Sequence, residues 1–230
     1  MIISVHQPQY IPWLGYFDKI ARSDTFVFLD NVQYKEREFQ NRNKIRTKDG
    51  SSWLTVPVVS KGEGRQNIRD VRIDNQIPWQ RKHLGALRSA YAKASFFNKY
   101  YTFFEEVLAR DWEYLKDLNI QIIEFILKDL TISTPICFES DLKVNATSSE
   151  RIVDICKQLK ADTYLSGSGG KDYLDAALFE RENIKLLYQD FKHSQYKQCF
   201  APFMSYMSII DLLFNCGDGS RKILFTEKPV

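Results

Sequence analysis

A histidine, a carboxylate, a run of cations and a serine-glycine loop are the parts of this 230-residue chain that could do chemistry. His6 lies in Ile2-Ile3-Ser4-Val5-His6-Gln7-Pro8-Gln9-Tyr10-Ile11-Pro12-Trp13-Leu14-Gly15-Tyr16-Phe17, where an apolar run breaks into amides and aromatics. Imidazole titrates near neutral pH, and a positioned acid–base group contributes on the order of 10² to 10⁴-fold to a rate. His6 is therefore the candidate general base, or the group that orients an acceptor. Asp30 could orient His6 or bind a hydroxyl. Gln7, Gln9, Tyr10, Trp13 and Gln33 are candidate ligand contacts around them. After Asp30 the chain is dense in amides and cations, and Asn41, Arg42 and Lys44, with Arg37 and Arg46, could clamp an anion. Ser166-Gly167-Ser168-Gly169-Gly170 lets backbone approach a ligand closely and offers N–H groups to a phosphate or carboxylate. His193 is the remaining loop histidine.

Positioning these groups falls to an alternation of short strands and helices. The first apolar run is too short for a helix and Gln7-Pro8 stops it, so a buried strand ends near Val5 or His6. Pro12 suits a first helical turn, and Leu14, Phe17, Ile20 and Ala21 follow at helical spacing, which predicts a helix over 12–22. Residues 24–30 read as a second strand. Strand, helix, strand is the parallel crossover unit, which brings His6 and Gln7 together with Asp30, Asn31 and Gln33 at the carboxyl edge of a sheet. Residues 33–46 read as a polar loop. Strands are expected at 53–59, 68–73, 132–138, 161–165 and 184–189.

Between 79 and about 130 the periodicity turns helical, predicting two or three helices broken near Ser95 and Leu118, with the aromatic stripe as core and His83 exposed. Thr147-Ser148-Ser149-Glu150 has capping-box spacing and predicts a helix to about Leu159. Further helices are expected at 171–181 and 204–214, with Ser205 and Ser208 as further contacts, and a tail from Lys222 to Val230. The fold class is α/β: a mostly parallel Rossmann-like sheet with flanking helices and a helical insertion at about 79–130, in one domain spanning 1–230.

The opening motif from His6 to Phe17, Leu29-Asp30-Asn31-Val32-Gln33-Tyr34 and Asn41-Arg42-Asn43-Lys44-Ile45 together resemble the signature of the WbqC-like family. The resemblance extends over nearly the whole chain. It implies a place among bacterial O-antigen and other surface-glycan gene clusters, often beside sugar-nucleotide aminotransferases, and with it partners among the enzymes of such pathways. It carries over no set of catalytic residues.

Composition bounds the rest. Hydrophobic residues make up 44% and charged residues 27%, as in a globular protein, and no stretch approaches the roughly 18 apolar residues of a membrane span. The start lacks the features of a signal peptide, so the expected location is cytoplasmic. A net charge of +3 carries no strong nucleic-acid signal. Cys137, Cys156, Cys199 and Cys216 have no metal-ligand spacing and read as reduced core thiols; no metal site is indicated, and the residues do not identify a cofactor.

Three functions fit these residues. A transferase would modify an activated, nucleotide-bound amino sugar, by acyl or aminoacyl transfer for instance, with His6 and Asp30 at the reacting centre and Arg42, Lys44 and the 166–170 loop on the donor's charge. Adenylyl transfer of the class I nucleotidyltransferase kind is the second, although His6-Gln7-Pro8-Gln9 departs from the HxGH pattern. A sugar-nucleotide-binding scaffold is the third. Ser166 lies outside a GxSxG elbow, which argues against a hydrolase triad.

Overall fold

Five parallel strands form the centre of the molecule, in spatial order Ile136–Phe138, Thr25–Phe28, Ile2–His6, Thr163–Ser166 and Lys185–Tyr188. The structure is a computed structural model and describes residues 1–60, 62 and 64–226. In chain order the elements are β1 (Ile2–His6), α1 (Leu14–Ala21), β2 (Thr25–Phe28), β3 (Arg42–Thr47), β4 (Gly50–Thr55), α2 (Trp79–Tyr91), α3 (Phe97–Leu108), α4 (Leu115–Asp129), β5 (Ile136–Phe138), α5 (Ser148–Gln158), β6 (Thr163–Ser166), α6 (Ala176–Arg181), β7 (Lys185–Tyr188), α7 (Ile209–Cys216) and α8 (Ser220–Leu224). Parallel pairing sets Val5 opposite Val27, Ile3 opposite Tyr164 and Leu165 opposite Leu187. The α/β expectation therefore holds.

The side-chain period of two along β1 and β2 divides the core. Ile3, Val5 and Val27 face Ile152, Val153, Ile155 and Cys156 of α5 with Leu178 and Phe179 of α6. Phe26 and Phe28 face the opposite way, into a larger aromatic core with α1, α2, α3, α4 and α7. Tyr91 and Phe214 stack there at 4.6 Å with ring planes 6° apart. The aromatic stripe of 79–130 is core, as its periodicity predicts.

Several local expectations are corrected. The polar segment after Asp30 is not loop throughout: β3 pairs antiparallel with β4 in a separate hairpin, Ile45 opposite Ser52. Its inward residues include Asn43, which is fully buried and donates Nδ2–H to the Ile11 carbonyl at 2.9 Å, so the hydrophobic alternation of a strand is hidden by a polar core residue. Residues 68–73 form a 3₁₀ turn at Ile68–Asp70 followed by isolated bridges from Arg72 to Tyr114 and Ile73 to Val58. The break before α4 falls at 109–114, with Leu118 buried inside the helix. Helix α5 forms, but the Thr147 side chain makes no cap hydrogen bond and Ser148 has φ 51°, so the capping box is not closed. Residues 168–172 are a 3₁₀ turn and α6 begins only at Ala176, where Asp175 caps Leu178 N. Helix α7 begins at Ile209, with Ser208 as its N-cap. Residues 227–230 of the expected tail lie outside the described residues, and Lys222 belongs to α8.

Candidate functional site

The connections β1 to β2 to β5 progress toward one edge of the sheet, whereas β6 and β7 lie on the other side of β1. The topological switch point is therefore between β1 and β6, where open α/β sheets bind ligands beyond the carboxyl ends of the strands. A cavity of about 790 Å³ opens there. His6 and Gln7 from the end of β1, Asn31 and Gln33 after β2, and Ser166, Gly167 and Gly169 from the end of β6 line it. The two stretches that the sequence singles out, around His6 and around Ser166, thus form two walls of one space.

Charge is distributed unevenly around that space. Lys19, Lys35 and Arg151 line it, and none of the lining residues among those described is an aspartate or glutamate. Arg151 is matched behind the wall: Nη1 donates to the Glu139 carboxylate and, at 3.1 Å, to the Asn31 carbonyl. Glu139 is 1% exposed, and burial raises its pKa against the opposing pull of Arg151. Lys19 and Lys35 have no carboxylate partner among the described residues, which leaves the cavity a place for an anion.

His6 donates from Nδ1 to the Gln7 carbonyl at 3.2 Å, a bond whose acceptor must be the carbonyl, so the neutral ring keeps its lone pair on Nε2. Burial, followed by the charge of Lys19, pushes its pKa down to about 3. The ring is neutral at physiological pH and a weak proton acceptor, which corrects the expectation of a base titrating near neutrality. Tyr16 packs edge-on against it at 5.0 Å and donates its hydroxyl to the same Gln7 carbonyl at 3.0 Å. Lys19, on α1, is buried and reaches back to donate to the Val5 carbonyl at 3.1 Å; burial lowers its pKa to about 7.

Other candidates are held elsewhere. Asp30 is fully buried and accepts from Ser140 N at 3.0 Å and Ser140 Oγ at 2.8 Å, with Lys116 Nζ 3.6 Å away; it ties the end of β2 to the turn after β5 and makes no bond to His6. Gln9 is buried outside the cavity with Oε1 unpaired. Tyr10 donates its hydroxyl to His83 Nδ1 at 2.8 Å, and His83 Nε2 donates to the Thr55 carbonyl at 3.1 Å. His83 is 4% exposed rather than on the surface, and its burial lowers its pKa to about 4. Asn41 donates to the Val56 carbonyl at 2.9 Å.

Arg42 and Lys44 project from the β3–β4 hairpin over the Trp53 ring, at 4.3 and 4.9 Å from its centroid, and do not line the cavity. Arg46 is buried and donates to the Gly50, Ala201 and Pro202 carbonyls. Trp13 packs against Phe191, His193 and Tyr206. His193 lines a separate pocket of about 120 Å³ with Asp18 and Arg22. Ser168 is exposed beside the cavity without lining it, and Ser208 donates Oγ–H to the Ile11 carbonyl at 2.7 Å. The strand-edge rule locates residues at β1, β2 and β6, but it does not extend to a loop that turns into its own hairpin.

Sequence reasoning passes over Lys19, Lys35, Arg151 and Tyr173, all of which line the cavity. Lys19 is a lysine within a short helix and reads as solvent face until its neighbours are placed. Arg151 is one ordinary cation on an amphipathic helix.

Residues 7–223 match the WbqC-like protein family. An uncharacterized protein of Mycobacterium tuberculosis is 36% identical over 217 residues, covering 94% of each chain. No solved structure matches the chain.

Proposed function

The chain belongs to the WbqC-like family, and from that premise we propose that it is a transferase that modifies a nucleotide-activated amino sugar in bacterial surface-glycan biosynthesis, by acyl or aminoacyl transfer. One observation carries this reading: the cavity at the switch point is lined by three cations and by no carboxylate among the described residues. Such a lining suits the phosphates of an activated donor or sugar nucleotide, and a space of about 790 Å³ has room for a molecule of that size. Gly167 and Gly169 leave open space where a Cβ would stand, so backbone can come close to the bound group. Neutral His6 offers Nε2 to the attacking amine or hydroxyl, orienting it toward the transferred group.

Adenylyl transfer is the second reading, favoured by the strand order, which is that of a nucleotide-binding α/β half with a histidine at the end of its first strand. Against it, Gln9 stands where the second histidine of HxGH would and is buried away from the cavity.

The deciding experiment incubates the protein with UDP-, dTDP- and GDP-amino sugars and acyl or aminoacyl donors and reads products by mass. An acylated sugar nucleotide supports transfer. Pyrophosphate release from ATP and magnesium replaces it with adenylyl transfer, and sugar-nucleotide binding without conversion replaces it with a scaffold.

A further inference from the structure

Lys19 is 3% exposed, yet no carboxylate stands beside its amine among the described residues. Among the described residues its one hydrogen bond goes to the Val5 carbonyl at 3.1 Å. The neighbouring carboxylate, Asp18, is turned away: it accepts from Arg22 Nε at 2.8 and 2.9 Å and from Gln189 Nε2 at 2.7 Å. Buried lysines are ordinarily paired, because an isolated ammonium in low dielectric is costly. Lys19 is also one of the residues that line the large cavity.

The titratable and charged groups around the same space are His6 on β1, Tyr164 on β6, Lys35 after β2, Arg151 on α5 and Tyr173 in the loop before α6. None can supply a negative charge at neutral pH: burial raises the pKa of both tyrosines, and Arg151 is already matched by Glu139. Among the described residues, then, the lining supplies no counter-charge for this amine.

We propose that Lys19 is the counter-ion for a phosphate group of the cavity's ligand, its ammonium pairing with the phosphate oxygens in the space that His6 and the Ser166–Gly170 loop also line. This rests on the reading of the site as one for a nucleotide-activated molecule and assigns the residue that meets the charge. Burial holds the free amine near neutrality, at about 7, and an adjacent phosphate raises its affinity for a proton. Ligand binding above that pH therefore takes up a proton, and affinity falls as pH rises.

The test is a titration of the full chain carrying ¹³C-labelled lysine, with the Lys19 signal assigned from Lys19→Arg. The probes are UDP-N-acetylglucosamine, whose phosphate diester does not titrate between neutral and alkaline pH, inorganic pyrophosphate and acetate. The expected result is a midpoint near neutrality that moves up with either phosphate probe and not with acetate, and a loss of about tenfold or more in pyrophosphate affinity in Lys19→Met. An unmoved midpoint with every probe, pyrophosphate binding unchanged in a folded Lys19→Met, or an equal response to acetate would each overturn the assignment. Failure of the transferase reading looks different: the Lys19 signal moves with UDP-N-acetylglucosamine, and no amino sugar is ever converted.

Discussion

The indole of Trp13 lies over Gly15, so closely that a Cβ on the glycine would stand 2.2 Å from the ring. The same ring packs edge-on against Phe191 at 5.4 Å. The Trp-Leu-Gly step of the opening motif is thus explained by packing: Gly15 is small because Trp13 folds back over it. Gly15→Ala must displace the ring or shift α1, and overpacking of this kind costs about 1–3 kcal/mol. Urea unfolding should show a lowered midpoint with an unchanged slope; a midpoint equal to wild type would mean that the ring has room to move.

Asp30 shows how a residue with catalytic appearance can be architectural. Its carboxylate receives two bonds from Ser140 and faces Lys116 at full burial. Asp30→Ala leaves those donors and that cation unmatched, which costs about 3–5 kcal/mol. A large fall in melting temperature is expected. If turnover disappears while the melting temperature stays, Asp30 acts on substrate and the structural account fails.

What the sequence reveals and hides follows from the physics of each element. The β1–α1–β2 unit was legible because its strands are mostly apolar and Pro8 and Pro12 punctuate it, and the Ser166 loop because glycine follows a strand. The β3 strand was hidden because Asn43 takes a core position through a hydrogen bond rather than through hydrophobicity. The 68–73 segment alternates like a strand but finds only single bridging partners. Lys19 was hidden by its type: a lysine reads as surface until the surrounding elements are placed, and only tertiary packing buries this one.

Two substitutions separate the cavity from the hairpin. A Cβ on Gly169 meets nothing within 4 Å, so Gly169→Leu starts without a clash, at a position that lines the cavity. Its stability should stay within about 0.5 kcal/mol of wild type, while sugar-nucleotide affinity falls by about tenfold or more. Arg42→Ala removes a guanidinium 4.3 Å from the Trp53 ring, a contact of about 0.5–1 kcal/mol at an exposed site. Isothermal titration should find its ligand affinity unchanged. The reverse ranking would place the anion site on the hairpin.

Lys19 should destabilise the empty protein, in a way that pH reveals. Its pKa is about 7 in the folded chain and 10.5 as the unperturbed value. Between those values the unfolded chain binds the proton that the folded chain gives up, so stability rises with pH, with a limiting slope of about 1.4 kcal/mol per unit. Below about 7 both states are protonated and the full penalty for a buried, unpaired ammonium is present. Lys19→Met replaces it with an apolar chain of similar length and should be the more stable protein at neutral pH. That advantage should shrink steadily as pH rises toward 10.5. Denaturation of both proteins across this range checks the sign, since other groups cancel in the difference. A constant difference would mean that Lys19 titrates alike folded and unfolded, and that its amine is solvated rather than held for a ligand.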